Sequence, residues 1–83
     1  MEIVFALTSD DWIGAYVDGL IYDQGHSFYV PFFFRDFIKK YPDTRVGDIL
    51  VTQRSVHDEW LYHQGNLPHS ILDVVWEEET WTP

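Results

Sequence analysis

The sequence predicts an α+β fold: a small, mainly antiparallel four-stranded sheet that opens as a β-meander and is packed by one long and one short helix. Three observations carry this. Asp18-Gly19 sits between two apolar runs in WIGAYVDGLIYDQG, among the strongest short signals for a β-hairpin. Phe33, Phe34, Phe37, Ile38 and Tyr41 recur at helical spacing between Pro31 and Pro42, which makes a wide apolar stripe. Glu2 to Thr8, EIVFALT, places apolar residues on both sides of an extended chain, as a strand buried on two faces requires.

Taken in order, the first strand sets Ile3, Phe5 and Leu7 on one side and Val4 and Ala6 on the other. Thr8-Ser9-Asp10-Asp11 is a connector rich in turn formers. It leads into hairpin strands over about residues 12–17 and 20–24. The two-residue turn needs positive φ at Asp18 and Gly19, which aspartate tolerates and glycine adopts without strain. That turn pairs Val17 with Leu20, Tyr16 with Ile21 and Ala15 with Tyr22. One hairpin face then carries Ile13, Ala15, Val17, Leu20 and Tyr22, and the other Trp12, Tyr16 and Ile21. Both faces are apolar, so each needs a cover or a partner.

Gly25 ends the third strand. Pro31 suits the first turn of a helix, where its missing N–H is not needed. The helix spans about residues 31–41, with Lys39 and Lys40 in the last turn, where the dipole favours cations, and Pro42 as its stop. It is expected to cover one face of the meander. Pro42 to Gly47 reads as a loop. Asp48 to Gln53 contains the β-branched run of a fourth strand. Ser55 with Asp58 resembles a capping pattern ahead of a short helix, VHDEWLYHQ, anchored by Trp60 and Leu61 and ended by Gly65-Asn66. Pro68 to Asp73 suggests one more helical turn, and Val74 to Trp81 a short strand with an acidic, aromatic tail. The chain reads as one domain over residues 1–83, with a mobile acidic tail from about residue 76.

A chain of 83 residues buries only about 60–65% of its unfolded surface, so large aromatic side chains must supply much of the core. There is no cysteine, which excludes a disulfide framework and a thiolate metal site. No apolar run approaches the ~20 residues of a membrane span. The first charge is Glu2, and no basic n-region of a signal peptide precedes it. These features point to a cytoplasmic protein without a membrane partner.

Charge is the most informative global property. The formal net charge is −9, and residues 1–34 and 55–83 contain no Lys or Arg at all. All five bases, Arg35, Lys39, Lys40, Arg45 and Arg54, fall between them. Such a field disfavours direct binding to nucleic acid and favours basic partners.

The hairpin YVDGLIYDQGHS and the later EWLYHQGNLP resemble segments of short phage-type proteins, over less than a third of the chain. Its size and acidity are similar to those of anti-CRISPR and anti-restriction inhibitors. The resemblance implies a small inhibitor at work in a host cytoplasm, and it carries over no functional residues.

The chain has no glycine-rich phosphate loop and no Gly-x-Ser-x-Gly elbow. His26 and Ser27 would point to opposite sides of an extended chain and make no dyad. An enzyme is not expected, and neither is a cofactor. A carboxylate on a rigid scaffold can stand in for a phosphate against Arg or Lys. The candidates are Asp10, Asp11, Asp18, Asp23, Glu77, Glu78 and Glu79, with Trp12, Tyr16 and Trp81 as interface anchors. The expected activity is therefore inhibition, by occupying the nucleic-acid site of a basic partner. One alternative is an accessory or homo-oligomerising domain, a homodimer in the simplest case, that buries a bare sheet face. A second is a metal site built on His57, Glu59 and His63 and completed by His26 or His69.

Overall fold

The computed structural model describes residues 1–26 and 28–82; Ser27 and Pro83, and with Ser27 the dyad question, lie outside them. The chain forms β1 (Glu2–Leu7), β2 (Ile13–Val17), β3 (Leu20–Gly25), α1 (Val30–Lys40), β4 (Leu50–Ser55) and α2 (Asp58–Gln64). Short 3-10 turns lie at Val46–Asp48 and Ile71–Asp73. The fold is α+β, with one four-stranded sheet in the order β3-β2-β1-β4.

The sheet is mixed: β1–β2 and β2–β3 pair antiparallel, as expected of a mainly antiparallel sheet, but the pairing of β4 is parallel. It lies beside β1, with Glu2 opposite Leu50 and Leu7 opposite Ser55. The reason is the connection. A parallel neighbour requires a long crossover, usually helical, and α1 with its flanking loops supplies one. The fourth strand therefore joins the far edge of the meander.

The hairpin turn forms as its residues require. Asp18 has φ 51° and Gly19 φ 87°, both positive as in a type I′ turn. Val17 faces Leu20 and Tyr16 faces Ile21, but Ala15 pairs with Asp23 rather than Tyr22. A β-bulge at Ala15/Tyr16 takes up the extra residue and shifts the register of everything beyond it. The assignment of faces survives for Ile13, Ala15, Val17 and Tyr22 on one side and for Trp12, Tyr16 and Ile21 on the other. Leu20 is the exception: it is 52% exposed and belongs to neither core cluster.

The first face of the sheet is covered by α1. Phe33 and Phe37 are buried against Ile3, Phe5, Ala15 and Val17. Phe5 makes edge-on contacts with Phe28, Phe33 and Phe34 at centroid distances of 5.9, 5.4 and 6.1 Å, within the favourable range for aromatic pairs. Ile38, assigned to the helix stripe from its spacing, lies outside this core and is 60% exposed. It follows Phe37 by one residue, a rotation of about 100° around the helix axis.

The second face is covered by α2 and the chain that follows it, so neither sheet face is left bare. Val56, Trp60, Leu67, Val74 and Trp76 are buried against Val4, Ala6 and Tyr16. The homodimer argued from an uncovered face loses that ground. The expected strand at Val74 does not form; Trp76 makes one isolated bridge to Val56. The turn after Pro68 does form, at Ile71–Asp73, with Ser70 Oγ accepting from the Leu72 N–H at 3.2 Å.

This second cover is stitched to the sheet by polar contacts. The Tyr16 hydroxyl donates to the Pro68 carbonyl at 2.6 Å. Gln24 Oε1 accepts from the Leu67 N–H at 2.9 Å, and its Nε2 donates to the Leu67 carbonyl at 3.3 Å. Backbone bonds run from Ile21 N to His69 O and from Ile71 N to Gly19 O, both 2.8 Å. Gly14, buried in β2, supplies the seat: a Cβ there would overlap Leu67 Cδ1. A glycine inside a strand often marks such a close approach.

Two predictions follow from this docking. Gly14→Ala should destabilise by about 1–3 kcal/mol through overpacking, and by much less in a Leu67→Ala background, where the seat is empty. Denaturant unfolding of the four chains measures this; an equal loss in both backgrounds would show that Leu67 is not what Gly14 admits. The second prediction concerns Tyr16, whose side chain is fully buried. Burial, with a smaller contribution from Asp73, pushes its phenol up to about 12 from 10.0. Because the folded value is raised, the stabilisation is complete below about pH 10 and is lost as pH rises through about 12. Tyr16→Phe should cost about 1 kcal/mol near neutrality for the lost hydrogen bond, and should flatten the alkaline fall in melting temperature over that window.

Candidate binding cleft

A cleft lies between the β1–β2 loop and α2, with a volume of about 740 Å³. The loop wall begins with Thr8, whose Oγ1 lies 2.6 Å from Asp10 Oδ1 and 2.7 Å from the Trp12 carbonyl. The Trp12 N–H also reaches Asp10 Oδ1 at 3.3 Å, and Asp11 takes a positive φ of 67°. This is the local chemistry of an Asx-type turn. The Thr8 hydroxyl, bonded to the Asp10 carboxylate, is the main influence holding that carboxyl below its ordinary value. The Trp12 indole N–H donates to Gln24 Oε1 at 3.1 Å, and the His26 ring meets Trp12 edge-on at 4.8 Å. The same glutamine that clamps Leu67 therefore fixes this indole.

The opposite wall is α2, held to the core by Trp60. Residues four apart on a helix share a face, so Asp58 stands over Tyr62 and Glu59 over His63. All four line the cleft, together with Leu61. Trp81 returns along this wall, with its ring 5.3 Å from His63 and 6.2 Å from His57. The lining thus holds three carboxylates (Asp10, Asp58, Glu59), two imidazoles and the rings of Trp12, Tyr62 and Trp81, but no Lys or Arg.

Of the residues singled out in the sequence, the fold brings Asp10, Trp12 and Trp81 together here. The others lie elsewhere. Tyr16, expected as an interface anchor, is wholly buried with its hydroxyl on Pro68 and presents nothing to a partner. Asp18 sits at the other end of β2, roughly 20 Å from Asp11 at ~3.3 Å per residue. Its Oδ1 accepts from the Glu2 N–H at 2.9 Å and secures the start of β1. Asp11 and Asp23 are exposed, and Asp23 accepts from the following Gln24 N–H at 2.9 Å. Glu78 pairs with Arg54, and Arg54 holds its carboxyl below the ordinary value. Glu79 Oε2 is 3.4 Å from the Trp76 N–H, while Glu77 is exposed. The seven acids do not form one surface, because several of them serve the fold.

Asp58, Glu59 and Tyr62 were not among the expected partner-binding residues. Their signal was present in the i, i+4 pairs Asp58–Tyr62 and Glu59–His63, which set two acids and two rings off the Trp60 face of one short helix. The metal alternative finds no geometric support: among the described residues no three His, Asp or Glu side chains come together as a ligand set. His57 Nδ1 is buried without a hydrogen-bond partner, but His57 does not line the cleft. No described helix is long and apolar enough to cross a membrane. No protein-family model, curated protein or solved structure matches this chain, so the functional reading rests on its own residues.

The Asp10 turn yields a pH prediction. Its carboxyl value is lowered in the folded chain, so its contribution is complete above the ordinary value of 3.8 and is lost as pH falls through the folded value. Melting temperatures of the parent and Asp10→Ala should differ near neutrality and converge as the solution is acidified below about pH 4. A gap independent of pH would mean that the carboxylate charge is not what holds the turn.

Proposed function

We propose that the protein is a small acidic inhibitor that binds a basic, nucleic-acid-binding partner and occupies the surface nucleic acid would take, in the manner of anti-CRISPR or anti-restriction proteins acting in a host cytoplasm. It acts by binding and not by catalysis. The observation that carries this reading is the make-up of the cleft: three carboxylates and three aromatic rings with no Lys or Arg, in a chain of net charge −9. Carboxylates fixed on a scaffold engage Arg and Lys through charge-assisted hydrogen bonds. Aromatic side chains supply the anchors on which most binding energy concentrates, and Tyr62, 88% exposed, is placed to act as one. Glu77, Asp11 and Asp23, exposed and outside the cleft lining, add long-range attraction and faster association.

The test is capture from a panel of purified nucleic-acid-binding proteins across a salt series. Each captured protein is then assayed for retention of its DNA or RNA. A captured partner should release its nucleic acid as this protein is added, and capture should weaken steeply with salt. Replacing Asp58 by Asn together with Glu59 by Gln should slow association and flatten the salt dependence while leaving the melting temperature nearly unchanged, because exposed charges contribute little to stability. Capture that leaves the nucleic acid bound, or that ignores salt, overturns the reading.

One observation favours self-association instead. The edge strand β4 exposes Leu50 (59%) and Val51 (44%), and an open strand edge is a template for a second copy. Light scattering over a concentration series separates the two readings.

A further inference from the structure

We propose that the cleft between the β1–β2 loop and α2 receives an arginine side chain of the partner, with the guanidinium against the Trp81 and Trp12 rings and its N–H groups directed to Asp58, Glu59 and Asp10. The inference rests on the basic-partner reading and names the group that would be recognised.

The chain itself shows how it accommodates a guanidinium. Arg54 lies over the Trp76 ring, with its Cζ 4.1 Å from the centroid, and the same guanidinium is ion-paired with Glu78. One indole face and one carboxylate thus satisfy the two requirements of arginine, a flat polarisable surface and an acceptor for its planar fork of donors. The cleft offers the same two partners in duplicate, Trp12 with Asp10 and Trp81 with Asp58 and Glu59, and no cation of its own chain lines it.

The rings are set in advance. Trp12 is tied through its indole N–H to Gln24 and abutted by His26. Trp81 packs against His63 at 5.3 Å with the rings tilted by 43°, and meets His57 at 6.2 Å. Anchors fixed before binding reduce the ordering that binding must impose. A volume of about 740 Å³ lies within the usual range for a small-ligand cleft and admits an arginine side chain with room beside it. An anionic group is excluded by the three carboxylates. A lysine ammonium carries the charge but lacks the plane that stacks on indole and the fork that meets a carboxylate with two bonds. His26 and His63 are the titratable neighbours in the walls, and protonation of either would oppose a cation.

The test uses the full chain, isotope-labelled, at one fixed pH. The probes are a short glycine-flanked arginine peptide, its lysine counterpart and its citrulline counterpart, which keeps the shape of arginine without the charge. The readout is the set of four tryptophan indole N–H resonances. The arginine peptide should shift the signals of Trp12 and Trp81 and leave those of Trp60 and Trp76 in place. The lysine and citrulline peptides should bind at least about fivefold more weakly. Asp58→Asn with Glu59→Gln should weaken the arginine peptide by a similar factor, and Trp81→Ala should do so independently, each with the remaining indole signals unmoved. Equal binding of arginine and citrulline peptides, shifts confined to Trp76, or no shift at peptide concentrations up to about 10 mM, the reach of a single weak contact, overturns the assignment. The peptide experiment needs no natural partner. Arginine binding in the cleft without capture of any nucleic-acid-binding protein would overturn the proposed function alone. Capture undiminished by Asp58→Asn with Glu59→Gln, with no peptide binding, would overturn the cleft assignment alone.

Discussion

The structure depends on the docking of Leu67 and Pro68 onto the hairpin. A chain of 83 residues has one good amphipathic helix, and α1 is used up on one face of the sheet. The other face carries Val4, Ala6 and Tyr16, which would be costly to leave in water. It is closed only because the Tyr16 hydroxyl, the Gln24 amide and the notch at Gly14 converge on residues 67–68. That anchor turns the chain after α2 back along the sheet, past His69 and Ile71 at the edge of β3, to bring Val74 and Trp76 into the core. A buried phenol and a half-buried amide are tolerated because each finds a partner for its polar atoms; a buried group left unpaired costs roughly 1–3 kcal/mol.

The same docking builds the cleft. Gln24 holds Leu67 with both ends of its amide and accepts from the Trp12 indole with the same Oε1. The loop wall and the C-terminal cover are therefore positioned by one side chain. Trp60 fixes α2 on the sheet, and the path from Trp76 delivers Trp81 to the far wall. The sheet stands between this cleft and α1, which carries Arg35, Lys39 and Lys40. None of these bases lines the cleft, so its carboxylates are left without a lysine or arginine in its walls.

Much of the fold was legible because it is local. The turn chemistry of Asp18-Gly19, the spacing of Phe33 and Phe37, and the stop at Pro42 each act within a few residues, and each element lies within about two residues of its expected place. What was not legible is long-range. Tyr16 meets Pro68 across 52 positions and Gln24 meets Leu67 across 43, and nothing in strand periodicity names such partners. The parallel β4 escaped for the same reason: a β-branched run announces a strand but not its neighbour or direction. The notch at Gly14 belongs to the same class, because the residue that fills it, Leu67, lies far along the chain. At the site, a tyrosine in a two-faced apolar strand reads alike whether buried or displayed, so Tyr16 was assigned outward. Asp10, Trp12 and Trp81 were legible as acids and rings near a turn and a terminus. In sequence Asp58 reads as part of a capping pattern with Ser55 and Glu59 as a metal-ligand candidate beside His57 and His63; only the fold sets them in one cleft with Asp10.

The arrangement of charge also separates two explanations of acidity. If it served solubility alone, the acids would gain most by being dispersed over the surface, since gathering like charges raises the energy of the folded state. Several acids do serve the fold: Asp18 closes the start of β1, Asp10 holds its loop, and Glu78 neutralises Arg54. Among the described residues Asp58 and Glu59 form no ion pair with a Lys or Arg, yet they line one concavity with Asp10 and three aromatic rings. Arg54, the cation that shows how an indole and a carboxylate together accept a guanidinium, is already held by Trp76 and Glu78. The repulsion left among the cleft carboxylates is of the kind a guanidinium from another molecule relieves, and the rings beside them suit such a group better than they suit water.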